Sequence, residues 1–373
     1  MGVRFSLILM LLLSMTLLFV WQSMSDEQRS YLWVALGVHS EQKAPEESLP
    51  VVQAVSPLNE RLVAAEQHTP FCFKPTTREV TDVESQPKVF KWVDESGKVN
   101  FSDKKSSVGS NAQDLSARYQ IEKQFFRIDI HAASGNLPVF MKDRLSADLK
   151  QVFAVLSNDL PERFLKQVDL NVKVFNSSSD FEAYRQQHVP NLQTDTGFYK
   201  SSMDEAVVMH HGDDNSTRSV ARHEATHVIN SGLYGLTPTW FNEGIAEYFE
   251  NLVVQGQSKT IFPATYWVKL LNRRYHEKTL PTLEEYLIIE GKDWREGDQE
   301  TMYAVAWSLV HFMMGDNLGR ETLREMMRHM AEFYCKPFDS VAFINMHHVG
   351  GINALSERWR TVVAKSEFNP HRY

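Results

Sequence analysis

Between residues 222 and 250 the chain sets two histidines and several glutamates at spacings that suit a divalent cation and a water molecule. Residues 223–227 read His-Glu-Ala-Thr-His. On a helix, residues four apart share a face, so the imidazoles of His223 and His227 can reach one ion. The carboxylate of Glu224 projects near that ion without binding it, which suits a general base. Catalytic zinc takes three protein ligands and leaves a fourth position for water. Glu243, with residues 228–242 between it and His227, is the candidate third ligand. Ligating histidines also need a partner on the outer ring nitrogen. Glu247, one turn past Glu243 on the same face, is expected to take that role with help from Asn242. Glu250, next along, is expected to face solvent.

These residues need two facing helices. Asp214, Asn215, Ser216 and Thr217 supply start signals for the first, Val220, Val228 and Ile229 its apolar positions, and Gly232 a stop. Gly232, Gly235 and Pro238 then let the chain double back, so that residues 238–250 (PTWFNEGIAEYFE) form an antiparallel helix. Upstream, residues 125–132 alternate like a strand and residues 137–156 have helical spacing. Residues 170–175 read as another strand, and 176–180 offer caps for a helix through Gln187. Residues 197–199 and 206–209 look like a further strand pair. After Thr217 nearly everything reads helical, with breaks near Pro238, Pro263, Pro281, Gly315 and Gly350. The expected class is α+β: a small mixed or antiparallel sheet followed by a mainly helical domain.

The two elements together, HEATH followed by PTWFNEGIAEYFE, resemble the gluzincin clan of zinc metallopeptidases. The likeness is to the thermolysin-like peptidase MA branch with its HExxH…PxWxxEGxAxYxE pattern, and it spans 121–373. It implies a zincin fold, Zn2+ as cofactor, His223, His227 and Glu243 as ligands, Glu224 as base and Glu247 behind a histidine. Clan members often take an oxyanion donor from a tyrosine or histidine of the C-terminal helices. Tyr303, within residues 300–314 (ETMYAVAWSLVHFMM), is that candidate, while His311 reads as a packing histidine. His210 and His211 either line the cleft or are ordinary loop residues. Residues 196–199 are either a strand edge that pairs with an extended peptide or an ordinary strand. No GxMEN element, which grips a free amino terminus in the clan's aminopeptidases, is present, so the resemblance points to an endopeptidase. Two other readings stay open: a non-catalytic zinc-fold module that binds protein or cell wall, and a zinc amidase acting on cell-wall peptides.

The rest of the chain suggests where this would happen. A hydrophobic content of 43% and charged content of 23% fit a globular protein. The net charge of −8 leaves no basic surplus for nucleic acid. Arg4 precedes an uncharged apolar run at 5–21 (FSLILMLLLSMTLLFVW), so residues 1–25 are expected to be a signal anchor or a cleaved signal peptide. This gives a single inner-membrane anchor with a periplasmic catalytic domain, or secretion to the periplasm after cleavage near Ser23 and Ser25. Residues 26–86, rich in Pro, Glu, Gln and Ser, read as a flexible tether. Residues 87–120 form a small unit with two short strands around Asp94-Glu95-Ser96-Gly97. Through Lys91, Trp92, Asp94, Gly97, Ser102 and Asp103 it resembles a small envelope domain of unknown function with the pattern KWxDxxGxxxxSD. The two cysteines, Cys72 and Cys335, are either one disulfide or two thiols. The expected partners are a peptide or protein substrate and, through the N-terminal segment, a membrane.

Overall fold

The computed structural model describes Cys72, 89–94, 96–104, 112–115 and 124–373. The apolar run at 5–21 and nearly all of the tether lie outside the described residues. Among the described residues no helix is long and apolar enough to cross a membrane. They form eleven α-helices and three small sheets, an α+β architecture.

The first sheet has the strands β1 (Phe90–Val93), β2 (Val99–Ser102) and β3 (Gln113–Asp114) in the order β2-β1-β3. Asp94 makes its turn. One carboxylate oxygen accepts from Ser96 N at 3.0 Å, Ser96 Oγ at 2.6 Å and Lys98 N at 3.0 Å. The other accepts from Asn100 Nδ2 at 2.9 Å. These bonds, the Ser96 hydroxyl first, hold the Asp94 pKa down at about 2. Gly97 follows at φ 81°, a conformation that costs a side-chain-bearing residue energy. The Asp and Gly of the recurrent pattern are thus turn chemistry.

The main sheet contains β4 (Phe126–Ala132), β5 (Val168–Phe175), β6 (Gly197–Lys200) and β7 (Glu205–Met209) in the order β4-β5-β7-β6. β4, β5 and β7 are parallel, and β6 closes one edge antiparallel to β7. Helix α1 (Met141–Ser157) buries Leu145, Leu149, Val152 and Leu156, a helical stripe, in the same core as Val168, Leu170, Val172 and Val174 of β5. Helix α2 (Ser178–His188), capped by Ser177, contributes Phe181 to a second cluster with Phe175, Phe198, Val207 and Met209.

Helix α3 (Asp214–Tyr234) is buried along most of its length. Asp213 caps it by accepting from Asn215 N and Ser216 N. It runs through Gly232, where a stop was expected, and ends at Gly235, which has φ 74°. Gly232 has a different use: a Cβ there would lie 2.7 Å from Val168 Cγ2, so its absence lets α3 settle on β5. The chain returns as α4 (Thr239–Glu250), whose cap residue Pro238 offers no side-chain acceptor. Glu290 supplies one instead, accepting from Thr239 N at 3.0 Å and from the Thr239 hydroxyl, a carboxylate at a positive helix end. Residue pairs Arg222 with Glu250 and Asn230 with Asn242 make α3 and α4 antiparallel, as expected.

The remainder is mainly helical: α5 (Thr265–His276), α6 (Leu283–Tyr286), α7 (Gly291–Glu296), α8 (Gln299–Gly315), α9 (Asn317–Glu332), α10 (Ser340–His347) and α11 (Gly351–Lys365). One exception was not anticipated. β8 (Leu252–Gln255) and β9 (Ser258–Ile261) form a hairpin that β10 (His371–Arg372) completes. β10 pairs with residues more than a hundred positions away and so leaves no local signature, whereas the β8–β9 hairpin has a local one, the turn at Gly256 with φ 58°. Cys72 and Cys335 are joined in a disulfide.

Candidate metal centre

The α3–α4 pair brings His223, His227 and Glu243 together. His223 Nε2 lies 3.8 Å and His227 Nε2 3.6 Å from the same oxygen, Glu243 Oε2. Ligand atoms about 2.0–2.2 Å from one tetrahedral ion would sit roughly 3.3–3.5 Å apart. The observed spacings are only slightly wider, and the donor set of two imidazoles and a carboxylate is of the kind zinc accepts. All the ligand atoms of this trio lie within 4.8 Å of one another. By this test the residues fit a zinc ion.

Charge supports the same reading. Glu224 on α3 and Glu243, Glu247 and Glu250 within two turns of α4 are all at least nine-tenths buried. Burying carboxylates without a cation is expensive. Burial pushes the Glu243 pKa up to about 7, against the pull of His223 and of a hydrogen bond from Tyr303. For His223, burial favours the neutral ring, but Glu250 first and then Glu224 and Glu247 outweigh it and lift the pKa to about 10.

Glu224 sits between the two histidines on α3, buried and close under the sheet edge. A Cβ on Gly197 of β6 would lie 3.3 Å from Glu224 Cγ, 2.6 Å from Val220 Cγ1 and 2.9 Å from Val207 O. Only glycine lets the edge strand come this near the helix. Tyr199, two residues on, packs its ring on His227 with centroids 4.2 Å apart. In the sequence residues 196–199 read as either a peptide-pairing edge or an ordinary strand, with no sign of these two contacts with α3.

Tyr303 lies on α8, buried, and its hydroxyl is bonded to Glu243. Burial first and the neighbouring carboxylates second keep it a neutral phenol, far above its usual pKa. What places it there is Gly244. A Cβ at Gly244 would meet the Ala306 carbonyl oxygen at 2.5 Å and Val310 Cγ2 at 2.9 Å, so α4 and α8 touch backbone to backbone. Overpacking of this kind costs about 1–3 kcal/mol. Gly244→Ala is therefore expected to lower Tm by about 3–10 °C in a thermal melt followed by circular dichroism.

The residues behind the histidines differ from expectation. Glu250, expected in solvent, is buried with Oε1 2.7 Å from His223 Nδ1. Glu247 is 3.9 Å from the same nitrogen and accepts from Trp267 Nε1 of α5 at 2.8 Å. Asn242 accepts from Asn230 Nδ2 at 2.7 Å and its amide approaches the Tyr199 hydroxyl at 3.5 Å, so it ties α3 to α4 rather than holding a histidine. Glu250 had a sequence signal, seven residues and two turns past Glu243, the same face. His311 is a packing histidine among Trp307, Tyr248, Phe368 and His371. His210 Nδ1 meets Thr217 Oγ1 at 2.8 Å, and His211 Nε2 meets the Asp195 carbonyl at 2.9 Å; both fix loops at the start of α3.

Fold and site together define an α+β protein with an HExxH helix, a facing glutamate helix and three convergent side chains that could hold a metal ion. A family described as "Protein of unknown function (DUF1570)" matches residues 217–339, well under half of the chain but including every candidate ligand. No curated protein matches the chain.

Proposed function

We propose that this chain is a zinc-dependent peptidase of the gluzincin type that hydrolyses peptide bonds in the bacterial cell envelope. The observation that carries the reading is the convergence of His223 Nε2, His227 Nε2 and Glu243 Oε2, with Glu224 on the same helix as the histidines. Zn2+ held by these three would supply Lewis acidity, lowering the pKa of a bound water to about 7 and polarising a substrate carbonyl.

The chain's own residues do the rest. Glu224 takes the proton from the attacking water and returns it to the leaving amine nitrogen. Its buried position removes competing solvent. The neutral Tyr303 hydroxyl, bonded to Glu243 beside the candidate ligands, serves as donor to the oxyanion. The edge strand β6, drawn close by Gly197, offers main-chain groups to an extended peptide. A disulfide supports an oxidising compartment, in keeping with an export segment at 5–21 and a periplasmic site of action.

Metal analysis together with cleavage of an unfolded protein such as casein tests this. About one zinc per chain is expected, with cleavage abolished by a chelator and restored by added zinc. A metal-free protein with no chelator-sensitive cleavage would sink the reading. Zinc without cleavage of any peptide would favour the binding module, and cleavage confined to cell-wall peptides the amidase.

A further inference from the structure

Behind the histidines lies a second buried polar cluster, formed by α1, α3 and the end of α4. Asp148 of α1 is fully buried and accepts from two arginines of α3. Arg218 Nη2 donates to its two oxygens at 2.9 and 2.7 Å, and Arg222 Nη1 donates to Oδ2 at 2.9 Å. One carboxylate facing two guanidiniums leaves a net positive charge, and Arg222 directs it at α4. Its Nε donates to the Phe249 carbonyl at 3.0 Å and its Nη2 to the Glu250 carbonyl at 2.5 Å. Ser219 Oγ donates to the same Glu250 carbonyl at 3.0 Å. These carbonyls belong to the last turn of α4, where they lack helical partners and where the helix end is negative.

Such a clasp fixes the rotation and height of the last turn of α4, and Glu250 is its last residue. α3 and α4 run antiparallel, so a residue further along α4 faces an earlier residue of α3. Seven residues are nearly two whole turns, about 20° short of them, while four overshoot one turn by about 40°. Glu250 is thus better aligned with Glu243 than Glu247 is, and it falls on the far side of His223. Its Oε1 is 2.7 Å from Nδ1, an ion-pair contact that lies off the line of a straight N–H···O bond, while Nε2 of the same ring lies 3.8 Å from Glu243 Oε2. Glu247 is 3.9 Å away and engaged by Trp267.

We propose that Glu250 is the positioning residue for His223, holding Nδ1–H so that Nε2 is presented to the metal, and that Arg222, anchored by Asp148, keeps Glu250 in place. The proposal rests on the reading of the site as a zinc centre. Partners of this kind typically change metal affinity by about 10–100-fold when removed.

The test is zinc affinity by chelator competition on stripped protein, with the visible spectrum of the cobalt-substituted form and the melting temperature of the metal-free form. Glu250→Gln is expected to bind zinc roughly 10–100-fold more weakly and to shift the cobalt bands, without melting lower when metal-free. Glu247→Gln is expected to stay within about threefold of wild type with an unshifted spectrum. Arg222→Lys keeps the charge but cannot span both carbonyls and Asp148, and should share the Glu250→Gln loss. Wild-type affinity and spectrum in Glu250→Gln, or a larger loss in Glu247→Gln, would overturn the proposal. So would a metal-free melting temperature that falls while affinity holds, since that marks Glu250 as merely structural. Wild-type protein that takes up no metal overturns the zinc reading itself and the proposal with it. If Arg222→Lys does not fold, the two glutamate variants still decide.

Discussion

Glu224→Gln is expected to retain its zinc while its kcat/KM falls by about 10²–10⁴-fold, the range assigned to a positioned general base. The two side chains are nearly the same size, which matters because the space is tight: Gly197 of the edge strand faces Glu224 Cγ, and Val220 packs beside it. The substitution therefore alters proton chemistry more than packing. An amide cannot take a proton from water at neutral pH, so the attacking group is not generated and the leaving nitrogen is not protonated. Metal content should not follow, because the three convergent ligand atoms belong to His223, His227 and Glu243. Glu243→Gln is the contrast, expected to lose metal and activity together. Steady-state kinetics set beside zinc content separates the cases. An unchanged rate in Glu224→Gln would remove Glu224 as the base, and a parallel loss of zinc would make it a ligand.

The α3–α4 pair was legible because both its recognition elements are local. HEATH fixes two side chains by helical periodicity alone, and the turn at Gly235 and Pro238 lies within a few residues of the next helix. The α+β class followed from strand-like runs before Thr217 and helical ones after it. What resisted reading depended on distant chain. Glu247 and Glu250 both fall close to the face of Glu243, and the roughly 20° by which helical geometry favours Glu250 is too little by itself to show which one reaches His223. That is settled by Arg222, which draws on Asp148 from a helix that ends before β5 begins. Trp267, which engages Glu247, comes from α5. Gly197 looks like any strand glycine until β6 is laid against α3. The order β4-β5-β7-β6 and the late sheet closed by β10 are likewise properties of pairing, not of any single segment. Asp213 shows the limit in miniature: caps were expected from residues 214–217, and the cap proved to be the residue before them.

Loss of the Cys72–Cys335 disulfide is expected to be the largest change in stability available without touching the core. The bond closes a loop with a sequence separation of 263. In the chain-entropy picture, constraint of the unfolded state grows with the logarithm of loop length and exceeds the roughly 4.7 kcal/mol given for a 100-residue loop. Measured losses for native disulfides are smaller, about 2–5 kcal/mol, so Cys335→Ser should lower Tm by about 5–15 °C. The effect should also reach the metal centre, because the bond abuts the turn between α3 and α4. A Cβ on Gly235 would lie 3.0 Å from Cys335 N and 3.1 Å from Cys72 Sγ, and Tyr334 beside Cys335 donates its hydroxyl to the Ser231 carbonyl of α3 at 2.9 Å. This turn sets how α4 returns against α3, and with it the distance of Glu243 from the two histidines. The oxidised protein is therefore expected to bind zinc more tightly than the protein treated with a thiol reductant. Zinc stabilises the folded state by mass action, so the Tm gap between the two forms should widen as zinc is added. A Cys335→Ser protein that melts within about 2 °C of wild type and binds zinc as well would show that the fold holds the turn unaided.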